Sequence, residues 1–175
     1  MRTKFMVGLA MIMAMAMMVS GCAKTQKDGA EKQAYSFSTP DPAPAGPAMV
    51  DSDRLDAEAK KAYDVLTANK IFFDFDKFDL KAESKEVLKG KAAILKKFAG
   101  WKMLVEGHCD ERGTEEYNLA LGERRARAAY EFLVVLGVPS SRLKVVSFGE
   151  EKPAVASHDE AAWAKNRRDE FKVFK

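Results

Sequence analysis

Apolar residues follow two rhythms beyond residue 50. In 52–68, Leu55, Ala59, Ala62, Tyr63 and Leu66 share one side of a helix that Asp51 or Ser52 could cap. Ile71, Phe73 and Phe75 alternate as in a first strand, and Asp76-Lys77-Phe78-Asp79 then turns the chain. Asp74 within that strand is unusual, and is expected to accept hydrogen bonds from a neighbouring loop. A helix over 82–98 has Val87, Leu88, Ile94, Leu95 and Phe98 as its apolar face and ends at Gly100. A second strand covers 102–107. Thr114 then caps a helix with Glu115 and Glu116 in its first turn, where carboxylates complement the dipole. That helix reaches Leu136, with Phe132, Val135 and Leu136 expected to be buried, and Gly137 and Pro139 stop it. A third strand over 143–148, a short helix over 159–166 and a last strand around Phe171 and Val173 complete the pattern. Strands alternating with helices indicate a two-layer α/β sandwich whose strand order is not readable from sequence.

The first fifty residues behave differently. Arg2 and Lys4 precede fifteen uncharged, mostly apolar residues, Phe5 to Val19, fewer than the roughly 20 a membrane span needs. The layout predicts a cleaved leader over residues 1–21. Val19-Ser20-Gly21-Cys22 resembles a bacterial lipobox, with Val19 where Leu is usual, and makes Cys22 the expected lipidation site. Stable anchoring takes more than one acyl chain, each buried CH2 contributing about 0.8 kcal/mol. By resemblance to lipoprotein sorting, Ala23 after the Cys favours the outer membrane over the inner. Residues 22–50 are rich in Ala, Lys, Gln and Ser, then in Pro40, Pro42, Pro44 and Pro47, and predict a disordered, partly extended tether. Residues 51–70 would form a leading helix, and 71–175 the main domain.

Charge excludes one class of function. The net charge is +3, and loss of residues 1–21 leaves about +1, too little for a nucleic-acid-binding field. With 2 cysteines and one expected to be acylated, no disulfide framework is available.

The candidate chemistry lies between the second strand and the long helix. Gly107-His108-Cys109-Asp110-Glu111-Arg112-Gly113 is a polar loop, and Asn118, Leu121 and Arg125 then share a helical face. A loop carboxylate and a helix guanidinium that converge can hold a ligand bearing both an amine and a carboxylate. The same pair could equally form an internal salt bridge. Cys109 beside His108 raises a thiol nucleophile or a metal site with Asp110. Adjacent residues in extended chain point apart, so His108 cannot readily serve Cys109, and His158 has no ligand spacing around it; a small buried Cys is the simpler reading, with no catalytic residue and no metal.

Four ordered motifs carry a family resemblance. Phe73-Asp74-Phe75-Asp76-Lys77, the Gly107–Asp110 loop with Tyr117-Asn118 and Leu121-Gly122-Glu123-Arg124-Arg125-Ala126, Ser147–Pro153, and Asn166-Arg167-Arg168 resemble the OmpA-like peptidoglycan-binding domain family from about Ile71 onward. The resemblance implies an α/β (α+β) two-layer sandwich with a four-stranded mixed sheet in βαβαβαβ order. It implies a non-catalytic domain without cofactor that binds the meso-diaminopimelate of peptidoglycan stem peptides. Asp110 would take the ligand ammonium and Arg125 a carboxylate, with Asp76, Asn118 and Leu121 completing the site. Arg167 and Arg168 would be structural or rim residues, and Cys109 departs from the family's usual Ala or Thr. With a lipid anchor before the domain, the resemblance implies an outer-membrane-to-wall tether in the periplasm with a TolB-like propeller protein as partner. A wall-binding lipoprotein without a Tol partner and a Cys109-dependent wall hydrolase are the alternatives.

Overall fold

The structure, a computed structural model, describes residues 48–175. The expected leader, Cys22 and nearly all of the tether lie outside the described residues. None of the described helices is long and apolar enough to cross a membrane.

The elements are α1 (Ala57–Ala68), β1 (Ile71–Phe72), α2 (Ala82–Lys97), β2 (Lys102–His108), α3 (Glu115–Val135), β3 (Leu143–Gly149), α4 (Glu160–Asn166) and β4 (Arg168–Phe174). The four strands make one mixed sheet in the order β1-β4-β2-β3. β2 and β3 are parallel, joined by α3 as a crossover, whereas β4 runs antiparallel to both β2 and β1. The expected α/β two-layer sandwich with its mixed four-stranded sheet is therefore the fold.

Side-chain oxygens of Asp56, Thr114 and Asp159 accept the backbone N–H of Ala59, Tyr117 and Ala162, which sets the start of α1, α3 and α4. The leading segment differs from the single helix expected over 52–68. Ser52–Arg54 is a separate 3-10 turn capped by Asp51, and the α-helix starts only after Asp56. Residues 48–50, assigned from sequence to the tether, join the sheet: Val50 N–H donates to Val173 O (3.2 Å), Lys175 N–H donates to Ala48 O (3.1 Å), and Val50 is buried.

The first strand is also shorter than Ile71–Phe75. Phe73 N–H still donates to Arg167 O (2.9 Å), but Arg167 precedes β4, so the chain runs out of partner strand and turns. Asp76 takes φ +55°, a left-handed conformation uncommon outside glycine that Asp tolerates better than most residues.

Leu66, Ile71, Phe73, Leu88, Leu95, Met103, Val105, Ala126, Ala129, Leu133, Phe171 and Val173 form the core between helices and sheet. On α3 the buried positions are Gly122, Ala126, Ala129 and Leu133; Val135, expected inside, is 81% exposed, since it lies half a turn from that face. α3 sits unusually close to β2: a Cβ added at Gly107 would fall on the Gly122 carbonyl. This approach brings the first two turns of α3 down onto the end of β2.

Candidate functional site

That close approach builds a cleft of about 260 Å³ between the turn after β1, the loop after β2 and the start of α3. Its walls include Asp76, Asp110, Asn118, Leu121 and Arg125, so the structure gathers all five sequence-predicted residues. Phe75, Cys109, Arg112, Gly113 and Tyr117 line it as well.

Arg125 is the floor. Its side chain is 1% exposed and is spent largely on the protein's own backbone. Nε donates to Lys77 O (2.8 Å), Nη1 to His108 O (2.9 Å) and Cys109 Sγ (3.3 Å), and Nη2 to Asp74 O (3.2 Å). A guanidinium has five N–H groups, so one on Nη2 is left over. Burial lowers its pKa, and among the described residues no carboxylate is in contact with it; a guanidinium is basic enough to stay charged in proteins nonetheless. One side chain thus ties the turn after β1 to the end of β2.

Asp110 is not paired with Arg125. It accepts from Arg112 Nη2 (2.7 Å) and Nε (3.3 Å), from the Arg112 backbone N–H (3.2 Å), and from Arg167 Nη1 (3.0 Å). Burial pushes its pKa up, but the bonds from Arg112 and Arg167 prevail and hold the carboxyl below its ordinary value. Arg112 is in turn flanked by the Phe75 ring (4.0 Å) and the Trp163 ring (4.3 Å), and Arg167 also reaches Glu160 (2.8 Å). An arginine stacked in this way, with a second one fixed by Glu160, holds the carboxylate in one orientation.

Asn118 is buried, its amide donating to the carbonyls of Asp110 (3.2 Å) and Arg112 (3.3 Å) and to the Glu150 carboxylate. It fixes the loop that presents Asp110. Asp76 sits at the rim, where its carboxylate accepts from the Tyr117 hydroxyl. Asp74, expected to serve a loop, is paired instead with Lys81 at the start of α2 (2.5 Å).

Cys109 is buried, its thiol donating to Asn118 O (3.2 Å), and burial pushes its pKa up to about 11 despite Arg125 beside it. A thiol that remains protonated at neutral pH is a poor nucleophile. His108 lies on the opposite face of the sheet, stacked on Phe148 (5.6 Å between ring centres), and burial lowers its pKa to about 4. The suggested set of His108, Cys109 and Asp110 does not assemble.

Sequence reasoning missed Phe75, Arg112, Tyr117 and Arg167 as parts of the site. Arg112 and Tyr117 stood inside the motifs already noted, and a loop guanidinium two residues from the key carboxylate was the available signal. The pairing of Asp110 with Arg167, fifty-seven positions apart, left no sequence signal.

The part of the chain that builds the cleft is similar to known proteins. The OmpA family profile matches residues 72–167. The chain belongs to the OmpA family. Peptidoglycan-associated lipoprotein of Pseudomonas aeruginosa is 40% identical over 164 residues, covering 93% of this chain and 94% of that protein. The protein of the same name from Haemophilus influenzae is 53% identical over 100 residues, covering 57% of this chain and 65% of its own length, so that match spans slightly under two thirds of that relative. The crystal structure of the peptidoglycan-associated lipoprotein from Burkholderia pseudomallei superposes with a TM-score of 0.58 at 42% identity, over 59% of this chain and 88% of that one.

Proposed function

We propose that this member of the OmpA family is a lipoprotein that binds peptidoglycan without catalysis, gripping the meso-diaminopimelate side chain of the stem peptide in the described cleft. One observation carries the reading: two carboxylates, Asp76 and Asp110, and two guanidiniums, Arg112 and Arg125, line a single small cleft. Such a cleft carries no net charge, yet offers separate poles for the ammonium and carboxylate of a zwitterionic side chain. Asp110 is the pole for the ammonium. The remaining Nη2 N–H of Arg125 serves the carboxylate, a charge-assisted bond about twice as strong as a neutral one. Asp76 and Asn118 add polar contacts, and Leu121 packs the aliphatic stem between the poles. The names of the relatives support the same class of ligand.

In this reading residues 1–21 are removed, Cys22 is acylated, and the segment to residue 47 spans the distance from the outer membrane to the wall. The domain then tethers membrane to wall in the periplasm as part of the Tol-Pal system, in envelope integrity and cell division, with a TolB-like propeller protein as second partner. The lack of a reactive thiol at Cys109 supports a binding role over hydrolysis. The test is co-sedimentation of the chain from Ala23 with purified sacculi. Binding should be competed by a meso-diaminopimelate stem peptide and not by its lysine counterpart, whose side chain ends in an ammonium without a carboxylate. Equal competition by both would contradict the zwitterion reading, and mass spectrometry of the membrane-extracted chain would show whether Cys22 is acylated.

A further inference from the structure

The sheet face turned away from the helices carries a second cluster, independent of the cleft. Glu106 on β2 and Glu170 on β4 are direct cross-strand partners. Like charges placed opposite each other repel, so this pair calls for a compensating cation. Lys70 and Arg168 supply part of it, but both bind the same atom, Glu170 Oε1, each at 2.7 Å. Among the described residues, Glu170 Oε2 and both oxygens of Glu106 accept no side-chain hydrogen bond. His108 lies two residues from Glu106 on the same face. Its ring is 2% exposed, and neither ring nitrogen has a hydrogen-bond partner among the described residues. A buried, unpaired imidazole beside two carboxylates with unused oxygens is an unfinished polar arrangement.

We propose that Glu106, His108 and Glu170 bind a single divalent first-row transition-metal ion. One ligand atom from each residue lies within 4.8 Å of the other two. Metal–ligand bonds of about 2.1 Å at tetrahedral angles need separations of about 3.4 Å, a contraction that small side-chain rotations supply. One imidazole nitrogen with two carboxylate oxygens suits zinc and its neighbours, with a water in the fourth position, and is too few oxygens for calcium. Lys152, one of the ammonium groups near the cluster, is held 3.4 Å over the Phe148 ring. Lys172 and Arg168 also border the site and keep the affinity modest. The ion would stiffen the end of β2, whose His108 carbonyl holds Arg125.

The test uses the full chain, purified in detergent and stripped with chelator. Zn2+ is titrated calorimetrically, and Co2+ by visible absorption. One ion binds per chain and raises the Tm; Glu106→Gln and Glu170→Gln, which keep the shape of the sheet face, each weaken binding at least ten-fold and abolish the Tm shift. His158→Gln removes the exposed His158–Glu111 pair, the competing surface site, and leaves the affinity unchanged. The inference is overturned if no saturable Zn2+ binding is seen. It is equally overturned if Glu106→Gln binds as the parent does, or if binding is lost in His158→Gln.

Discussion

Replacing Arg125 by Ala should damage the fold before it damages recognition. The guanidinium satisfies the carbonyls of Asp74, Lys77 and His108 from within the protein. Removing it leaves three acceptors that only water entering the cleft can reach, and each unsatisfied buried group costs about 1–3 kcal/mol. Taking the lower end for each, because the cleft opens to solvent, and adding the lost packing of the side-chain stem gives about 3–5 kcal/mol. That is a large part of the 5–15 kcal/mol typical of a domain. Equilibrium urea unfolding of the chain from Ala23 measures it. With an m-value of about 2 kcal/mol/M, the midpoint falls by roughly 2 M. Arg125→Lys keeps its N–H donors on a single nitrogen, which cannot span all three carbonyls, and should recover about a third of the loss. A midpoint for Arg125→Ala within 0.5 M of the parent, an order-of-magnitude bound from the same m-value, would refute the idea that Arg125 holds the two loops together. Binding lost in Arg125→Ala is therefore interpretable only beside its unfolding curve.

Lys91 is buried, with its amine bonded to Leu66 O and 4.1 Å from the centre of the Phe171 ring, and burial lowers its pKa to about 7. The unfolded chain keeps its lysines near 10.4, so this group costs stability as pH falls from about 10 to 7; Lys91→Met should stabilise the protein at pH 6 by about 2–4 kcal/mol, under a ceiling near 5 set by 1.36 kcal/mol per pKa unit. Asp169 shows the opposite sign of slope: fully buried, with neither oxygen bonded among the described residues, its pKa is raised well above the ordinary value, so the folded state holds a proton that the unfolded state releases. Stability then falls as pH rises above about 4, by up to about 1.4 kcal/mol per unit, and Asp169→Asn should flatten that slope in thermal unfolding at stepped pH. Gly107→Ala places a Cβ on the Gly122 backbone and should cost about 3 kcal/mol, whereas Gly122→Ala meets the rotatable Ser147 hydroxyl first and the Gly107 carbonyl oxygen only at 3.1 Å, and should cost less; equal Tm losses would contradict the close approach of α3 to β2.

The helices and the three long strands were legible because their apolar periodicity is strong and their caps are local. β1 was overextended because Phe73 and Phe75 continue the alternation, while what ends the strand is remote: β4 pairs no further than Arg168, and Arg125 takes the Asp74 and Lys77 carbonyls. Val135 was misplaced because the end of α3 is apolar all round and only packing selects Leu133. The gathering of Asp76, Asp110, Asn118, Leu121 and Arg125 in one cleft followed the family resemblance. How those side chains are engaged did not, since the Arg167 clamp and the Phe75–Arg112–Trp163 stack join residues far apart in sequence. The Glu106–His108–Glu170 cluster was hidden for the same reason, its members being split across two strands.

The most direct test of the central claim is calorimetric titration of the chain from Ala23 with a meso-diaminopimelate stem peptide and with its lysine counterpart. The account predicts saturable binding of the first, at least about 30-fold weaker binding of the second, and a loss of about 2–5 kcal/mol in Asp110→Asn, read beside its unfolding curve because the bonds from Arg112 and Arg167 are weakened as well. Equal binding of the two peptides, or full affinity in Asp110→Asn, would contradict it.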